Sequence, residues 1–311
     1  MTRKLNFIPY LVVLIFASGY CDEKNLRTND LSELRAYARK PSKHKTARVD
    51  ETFIEGKLTG QLGNQMFIIA AAVSLALDHD ATPVFPDLQS IKIDNIPLNY
   101  EHIFQNLNTE TPTNIIHQYH EPHYHYREIP YMKNMSIHGY FQSEKYFQAH
   151  KSKIIDLFSA SQKIEMFLRE KYSYILDNPK TVSIHLRCYL DHDPELKFYV
   201  QHGEAYCEEA IKQFPEDSIF VVFSNNMDYT KYELRNIDRE MIFIEGETHY
   251  HDLYLMSKCR HNIICNSSFS WWAAYLNQNP EKIVIAPSRW FAPGANMNQQ
   301  DIVPKEWRVI N

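Results

Sequence analysis

Glycine is scarce in this sequence, with 8 residues in a chain of 311. Glycine-rich loops are a common way of bringing backbone N–H groups around a phosphate, so any nucleotide must be held here largely by other means. An excess of basic residues is also missing, because 33 Lys and Arg stand against 38 Asp and Glu, for a formal net charge of -5. Since nucleic-acid-binding proteins are usually basic, we expect no nucleic-acid partner.

Cysteine is limited to five residues, and their spacing does not match a zinc-binding pattern. They allow at most two disulfides, whose pairing the sequence leaves open. Apolar residues are plentiful, with 44% hydrophobic and 13% aromatic content. This composition is sufficient for a large core and excludes a disordered chain, and the length suggests two domains or one large domain.

The N-terminus carries Arg3 and Lys4, followed by roughly 15 mostly apolar residues at Phe7–Cys21. A membrane span normally needs about 17 residues, which favours a cleaved signal peptide and a secreted protein. The stretch before Asp22 lacks a clear small-x-small cleavage site, and thin membranes of the early secretory pathway accept shorter spans. We therefore expect residues 1–21 to be a signal-anchor with the basic end cytoplasmic, residues 22–50 to be a stem, and the remainder to be lumenal.

Alternating apolar and amphipathic stretches predict an α/β fold with an N-terminal domain at 51–175 and a C-terminal domain at 176–311. The first domain opens with a strand at Thr52–Leu58, a helix at Gln65–His79 and a strand at Thr82–Phe85. The predicted strands of the second domain are Thr181–Arg187, Ser218–Ser224, Met241–Glu245, Asn262–Asn266 and Lys282–Ala286. Helices are predicted between them, at Glu204–Phe214, Asp228–Asn236, His249–Cys259 and Trp271–Gln278. This order predicts a doubly wound parallel sheet that binds its ligand at the carboxyl ends of the strands.

Two stretches of the second domain contain the residues best suited to hold a diphosphate. Ser267 and Ser268 lie between a strand and a helix, where free backbone N–H groups and the helix dipole favour phosphate. His185 and Arg187 lie on one face of the strand that ends at Arg187, and the arginine side chain offers a fork of donors. The alternative for the serine turn is an ordinary βαβ unit with good helix caps. The alternative for His185 and Arg187 is a strand end whose side chains form surface salt bridges.

The sequence H-Q-Y-H-E-P-H-Y-H-Y at His117–Tyr126 contains four closely spaced histidines. Such a cluster invites a metal-binding interpretation. However, its alternation fits a half-exposed strand better, and Pro122 would interrupt any helix that aligned the ligands. We therefore expect a strand here, with a metallohydrolase as a weaker alternative.

Four stretches in this order resemble glycosyltransferase family 11, the α-1,2-fucosyltransferases. They are G-Q-L-G-N-Q-M-F at Gly60–Phe67, G-Y-F-Q-S-E-K-Y-F at Gly139–Phe147, D-L-Y-L-M-S-K-C at Asp252–Cys259 and S-S-F-S-W-W-A-A-Y-L at Ser267–Leu276. The resemblance extends roughly from Ile54 to Trp290. It implies a GT-B arrangement, with two Rossmann-like domains and the donor site in the cleft between them.

The resemblance also implies an activity, which is the inverting transfer of L-fucose from GDP-fucose to the 2-hydroxyl of a galactose-terminated glycan. Arg187, the serine turn and the helix dipoles would stabilise the departing GDP, so no metal cofactor is expected. The family further implies a Golgi membrane protein. Asn134-Met135-Ser136 is a possible glycosylation sequon, whereas a glycan on the sequon Asn266-Ser267-Ser268 would block the donor site.

Site residues follow from the positions that match the family motifs. The resemblance implies donor binding by Gly63, Asn64, Gln65, Arg187, Ser224, Asn225, Ser267, Ser268 and Phe269. It implies catalytic roles for Arg187, His185 and Asp191. The general base stays open among Asp191, Asp193 and Glu55, and Asp252 is predicted either to cap its helix or to contact the nucleotide.

Two motifs depart from the family pattern. Cys188 replaces the second arginine of the family's His-x-Arg-Arg motif, and Asn225 and Asn226 stand where F-S-D-D or F-S-N-D is usual. These changes motivate an alternative function, in which the chain is a catalytically degenerate relative that binds glycans without transferring a sugar.

Overall fold

The computed structural model describes residues 52–90, 95–189 and 197–311. The predicted signal-anchor and stem, together with Asp191 and Asp193, lie outside the described residues. Within the described part of the chain, none of the helices combines the length and the apolar character needed to cross a membrane.

The N-terminal half forms a parallel sheet of short strands. These are β1 (Phe53–Gly56), β2 (Thr82–Val84), β3 (His117–His120) and β4 (Met135–His138), in the order β2-β1-β4-β3. The connection from β1 to β2 runs through helix α1 (Leu62–Asp78), which is apolar around most of its circumference and is buried over most of its length. The predicted β1–helix–β2 unit is therefore confirmed.

Short helical segments connect this sheet to the second half of the chain. They are a 3₁₀ turn at Pro86–Gln89, α2 (Ile96–Asn99) with a π turn at Tyr100–Phe104, 3₁₀ turns at Glu144–Tyr146 and Gln148–His150, α3 (Lys151–Leu157) and α4 (Gln162–Leu176). The Ser161 hydroxyl caps α4 by accepting from the N–H of Ile164. Helices α3 and α4 thus form the last part of the connection to the second sheet.

The C-terminal half forms the larger sheet. Its strands are β5 (Thr181–Leu186), β6 (Ile219–Ser224), β7 (Met241–Phe243), β8 (His261–Ile263), β9 (Val284–Pro287) and β10 (Arg308–Ile310). Its helices are α5 (Glu204–Ile211), α6 (Met227–Leu234), α7 (His249–Lys258) and α8 (Ser268–Leu276). All strand pairs are parallel, in the order β10-β9-β8-β5-β6-β7, which confirms the predicted parallel sheet.

The strand order places β5 at the point where the chain changes direction across the sheet. From β5 the chain moves to β6 and β7 on one side, and then returns to β8 and β9 on the other. Ligands of open parallel sheets bind at such a switch point, beyond the carboxyl ends of the strands. Arg187 directly follows β5 and therefore lies at this position.

Helices α1 and α8 join the two sheets through a shared aromatic core. The Phe67 ring lies 4.5 Å from Trp271 and 5.1 Å from Trp272, and Phe147 stacks on Trp272 at 5.4 Å. Both tryptophans are fully buried, and the Trp271 Nε1–H donates to the carbonyl of Ile302 at 2.7 Å. One continuous hydrophobic core therefore connects the two sheets.

Candidate active site

A cavity of about 320 Å³ lies where the N-termini of α1 and α8 meet the carboxyl edge of the larger sheet. Its lining comes from both halves of the chain, which brings together residues far apart in sequence. The predicted residues that line it are Gly63, Asn64, His185, Arg187, Ser224, Asn225, Ser267, Ser268 and Phe269. Asp191 lies outside the described residues and stays a prediction.

Two glycines shape the turn that leads into α1. Gly60 has a φ of +68°, in the left-handed region that glycine adopts readily. At Gly63, a Cβ atom would lie 2.5 Å from the carbonyl carbon of Ser268 and 2.6 Å from the backbone nitrogen of Phe269. The absence of a side chain at Gly63 therefore allows the first turns of α1 and α8 to touch.

Gln65 is a donor-binding residue in the sequence prediction, but the structure buries it completely, away from the cavity lining. Its Nε2 donates to the carbonyl of Gly60 at 2.7 Å, and its Oε1 accepts from Asn99 Nδ2 at 2.7 Å. Gln65 therefore stabilises the turn at Gly60 from the core side. The prediction that it contacts the ligand was wrong, because its position on α1 directs its side chain into the core.

The N-termini of both helices open on the cavity. Helix α8 begins at Ser268, earlier than the predicted Trp271, and Ser267 is its N-cap, accepting from the N–H of Phe269 at 3.3 Å. Helix α1 begins at Leu62, and its N-cap residue Gln61 makes no side-chain capping bond. Backbone N–H groups of a helix's first turn have no partner within the helix and carry its positive dipole end. Two such ends facing one cavity form a binding site for an anion.

Asn64 links the two halves of the chain at this point. Its Oδ1 accepts from the Ser268 hydroxyl at 2.8 Å and from Gln142 Nε2 at 2.8 Å. The Nδ2 group has no hydrogen-bond partner among the described residues and remains a donor for a ligand in the cavity. Asn64 therefore holds α8 to the first sheet and offers a ligand contact of its own.

His185 is buried beside the cavity, with its Nδ1 3.3 Å from Cys265 Sγ and its ring 5.5 Å from that of Phe269. Burial, together with the positive charge of Arg187, lowers the pKa of His185 to about 3. The imidazole is therefore neutral at physiological pH and too weak a base for proton abstraction near pH 7. Its chemistry here is that of a neutral hydrogen-bonding group.

Arg187 extends into the cavity beyond β5, with its guanidinium 5.7 Å from the ring centre of Tyr189. None of the ion pairs within the described ranges involves Arg187. As far as the described residues go, no carboxylate neutralises this charge, which faces the cavity with the two helix N-termini.

The two departures from the family pattern contact each other. The Cys188 N–H donates to Asn225 Oδ1 at 2.7 Å, and Asn225 Nδ2 donates back to the Cys188 carbonyl at 2.9 Å. Asn226 caps α6 by accepting from the N–H of Tyr229 at 3.1 Å, and Thr230 donates to the Ser224 hydroxyl at 2.8 Å. The side chains after β6 thus stabilise the loop, and Ser224 and Asn225 form part of the cavity surface.

Asp252 is, among the described residues, the only carboxylate that lines the cavity. It does not cap α7, because the N-cap is Thr248 and Asp252 lies one turn inside the helix. Its Oδ1 is buried and has no hydrogen-bond partner in the described part of the chain. Burial, with a smaller contribution from Glu247, raises the pKa of Asp252 to about 7. Asp252 is therefore a cavity carboxyl group whose protonation changes near neutral pH.

The structure also shows where three further predicted features lie, namely Glu55, the histidine cluster and the sequon at Asn266. Glu55 pairs with Lys57 at 3.2 Å outside the cavity lining, so it is a poor candidate for the general base. The strand predicted within the histidine cluster is present only in its first part, as β3, because the chain bends at 123–125 after Pro122. Within the described ranges, no three or more His, Cys, Asp or Glu side chains form a group that could hold a metal ion. Asn266 is buried and its Nδ2 donates to Val200 and Trp290 carbonyls, which leaves no space for a glycan.

Five aromatic residues that line the cavity have no role in the sequence prediction. One is Phe223 in β6, and the other four are Tyr140, Tyr189, Tyr199 and Trp290. Tyr140 lies within the family stretch that begins at Gly139, which was the only signal pointing to any of them. The other three are separated along the chain and come together only in the fold.

This chain is similar in sequence to known proteins of one enzyme family. The family model described as "Glycosyl transferase family 11" matches residues 24–311. The Escherichia coli protein "Alpha-1,2-colitosyltransferase" is 33% identical over 177 residues, covering 54% of this chain and 60% of its own length. The Escherichia coli "O-antigen biosynthesis glycosyltransferase WbnK" is 31% identical over 166 residues, covering 50% and 55%.

The mouse "Galactoside alpha-(1,2)-fucosyltransferase 1" is 28% identical over 242 residues, covering 70% of this chain and 61% of its own length. The chain thus spans between 55% and 61% of the length of these curated relatives. Among solved structures, fucosyltransferase NodZ from Bradyrhizobium superposes with a TM-score of 0.47 and 11% identity, covering 72% of this chain and 92% of its own.

Proposed function

We propose a sugar-transfer activity for this chain, which belongs to glycosyl transferase family 11. In this proposal it moves L-fucose from GDP-fucose, with inversion, to the 2-hydroxyl of a galactose-terminated glycan in a GT-B cleft. One observation carries the proposal: two helix N-termini and the Arg187 guanidinium meet in a single cavity. This concentration of positive potential suits a diphosphate leaving group.

The diphosphate is assigned to the middle of the cavity. The N-terminus of α8 with Ser267 and Ser268 supplies hydroxyl and backbone donors on one side, and Asn64 supplies its Nδ2 on the other. Arg187 adds a planar fork of donors and a full positive charge. These groups explain how a chain with few glycines can hold a diphosphate without a glycine-rich loop.

The nucleobase is assigned to the side of β6 and β7. Neighbouring strands lie about 4.8 Å apart, so residues that follow β7 are roughly 10 Å from those that follow β5. Asp252 lies in α7, the helix that follows β7, and it lines the cavity. Guanine presents adjacent N1–H and N2–H donors, and a carboxylate that lines the cavity is suited to accept from them. This pairing supports a guanosine donor over a uridine donor.

In the proposed reaction, the acceptor hydroxyl oxygen forms a bond to the anomeric carbon of the donor sugar. The bond from that carbon to the β-phosphate oxygen breaks, and GDP departs with the electron pair. Attack from the opposite face inverts the configuration. The hydroxyl proton passes to a general base, for which Asp191 and Asp193 stay predictions because both lie outside the described residues.

A donor screen tests the proposal. The full chain is titrated with GDP-fucose, other GDP-sugars, a colitose donor and UDP-sugars, and nucleotide release is measured with and without a β-galactoside. We expect GDP-sugars to bind and the galactoside to accelerate GDP release. Binding of UDP-sugars in their place would overturn the nucleotide assignment. Binding of GDP-sugars and galactosides without any transfer would support the glycan-binding relative.

The assignment of Asp252 predicts a pH dependence of GDP binding. Above its pKa of about 7 the carboxylate is ionised and accepts both guanine donors, whereas below it one oxygen carries a proton that opposes them. We therefore expect GDP affinity to rise as the pH increases through about 7. Asp252→Asn should weaken binding about 10- to 150-fold, on the order of 1.5–3 kcal/mol, and flatten this part of the profile.

Isothermal titration of GDP between about pH 5.5 and 8.5 measures this effect. The matched control is Asp228→Asn, because Asp228 is an exposed aspartate outside the cavity lining. The control separates the titration of Asp252 from that of the GDP phosphates, which both variants retain. A profile for Asp252→Asn with the slope of the unmodified protein would remove Asp252 from the nucleobase site.

A further inference from the structure

We propose that Tyr140, Tyr189, Tyr199 and Trp290, called here the aromatic wall, form the acceptor subsite, and that Glu121 holds Tyr140 in it. The ligand class is a galactopyranose ring packed against the aromatic faces. The inference rests on the proposed function, since it assigns the second substrate of the same cavity.

The aromatic wall is assembled from three separate segments of the chain. Tyr189 and Tyr199 stack at 5.4 Å with their planes 4° apart. Asn266 Nδ2 donates to the carbonyls of Val200 and Trp290 at 2.9 and 2.8 Å, which fixes the two segments side by side. Since each ring is held by packing or backbone contacts, the surface is formed before any ligand binds.

Tyr140 completes the wall from the opposite half of the chain. Its ring stacks on Tyr124 at 5.6 Å, and Tyr124 in turn contacts the edge of Phe291 at 5.0 Å. Trp290 and Tyr189 are buried, whereas Tyr140 and Tyr199 are only half-buried and retain accessible surface in the cavity. These two tyrosines are therefore the members of the wall best placed to contact a second molecule.

The position of the wall agrees with an acceptor role. Trp290 follows β9, which lies two strands from β5, on the side opposite to β7. The Arg187 guanidinium lies 5.7 Å from the Tyr189 ring. A donor whose diphosphate lies at Arg187 therefore holds its sugar within reach of the Tyr189 end of the wall, and the acceptor must approach that sugar.

The chemistry of the wall suits a pyranose. A galactose ring has one face formed by C–H groups, which packs on an aromatic ring, while its hydroxyls need hydrogen-bond partners. Tyrosine supplies both, because its ring is apolar and its hydroxyl donates and accepts. A surface made only of phenylalanine would provide the first contact without the second.

Glu121 positions Tyr140 through the backbone. Its Oε2 accepts from the N–H groups of Tyr140 and Phe141 at 2.7 and 3.0 Å, and its Oε1 accepts from the Tyr146 hydroxyl at 3.2 Å. Phe141 is fully buried with a φ of +50°, a conformation that is strained for a bulky residue. The Glu121 carboxylate stabilises this turn, which directs Tyr140 into the cavity and Gln142 onto Asn64.

Steady-state kinetics with methyl β-galactoside and GDP-fucose test the wall. Tyr140→Ala and Tyr199→Ala are each expected to raise the acceptor KM about tenfold or more, while the Kd for GDP changes less than about twofold. The matched control is Tyr174→Ala, because Tyr174 is an exposed tyrosine on α4 and should change neither quantity. Circular dichroism confirms the fold of each variant.

A double-mutant cycle tests Glu121. Glu121→Gln is expected to raise the acceptor KM, and the double variant with Tyr140→Ala should have the acceptor KM of Tyr140→Ala alone, because Glu121 acts on the acceptor through Tyr140. An effect of Glu121→Gln through Gln142 and Asn64 would appear in the Kd for GDP. A general loss of structure would instead add to the effect and weaken GDP binding. Independent, additive effects would overturn the positioning role of Glu121.

The outcomes distinguish a failure of the proposed function from a failure of the acceptor-subsite assignment. Absence of any transfer or GDP binding by the unmodified protein contradicts the proposed function itself. Normal transfer with an unchanged acceptor KM in both tyrosine variants overturns the wall as acceptor subsite. A rise in the Kd for GDP equal to the rise in KM would assign the wall to the donor and also overturn it.

Discussion

Arg187→Lys is expected to lower kcat about 100- to 1000-fold, on the order of 3–4 kcal/mol of transition-state stabilisation, while GDP affinity falls by much less. The reason is that the leaving group gains its charge during the reaction. Negative charge grows on the β-phosphate as the bond to the sugar breaks, so Arg187 contributes more in the transition state than in the ground state. Lysine keeps a positive charge but loses the planar fork of donors.

The structure sharpens this expectation. Arg187 has no ion-pair partner in the described ranges, and the family's second arginine is replaced by Cys188, so no adjacent guanidinium is available to compensate. Ground-state binding should survive because Ser267, Ser268 and both helix N-termini remain.

The measurement compares kcat and the Kd for GDP in Arg187→Lys and Arg187→Ala, with circular dichroism as a check of folding. Arg289→Lys is the matched control, because Arg289 is exposed and does not line the cavity. Near-normal turnover in either Arg187 variant would assign the stabilisation of the leaving group to another residue.

Gly63→Ala is expected to reduce kcat/KM by about 100-fold or more and to weaken GDP binding as well. The added Cβ would lie 2.5 Å from the Ser268 carbonyl carbon and 2.6 Å from the Phe269 nitrogen, and both are backbone atoms. Helix α8 is fixed by its buried tryptophans, so it cannot yield freely. A displacement of about 1 Å at an active site can cost on the order of 100-fold in rate.

The same clash should lower the free energy of unfolding by about 1–3 kcal/mol, the usual cost of overpacking. Gly294→Ala is the matched control, since a Cβ there meets nothing within 4 Å and its φ is not positive. Thermal unfolding, GDP titration and kinetics are measured on both variants. A Gly63→Ala protein with unchanged GDP affinity would show that the close approach of the two helices is not needed for the donor site.

The contacts between Cys188 and Asn225 bear on the degenerate alternative. An amide both accepts from the Cys188 N–H and donates to its carbonyl, whereas a carboxylate at position 225 could only accept. Both bonds involve backbone atoms of Cys188, so they do not depend on the side chain at that position, and Asn225 holds the ends of β5 and β6 together. The loop beside Arg187 is therefore ordered by hydrogen bonds although the second arginine of the motif is absent.

The amino-acid sequence by itself predicted most of the elements that surround the cavity. Apolar runs of strand length placed β5 and β6, and the polar turn at Ser267 marked the N-cap of α8. These signals are local, because strand burial and helix capping depend on neighbouring residues. The starts of α1 and α8 were predicted too late, since the glycine of one first turn and the serines of the other are poor helix formers.

Tertiary structure decided which side chains reach the ligand and in what ionisation state. Gln65 faces the core, Asn64 meets a serine 204 positions away, and the aromatic wall combines segments from both halves of the chain. The sequence alone also could not reveal that Asp252 has a pKa near 7 or that His185 is neutral. Both properties arise from burial, and burial depends on packing between residues that are distant along the chain.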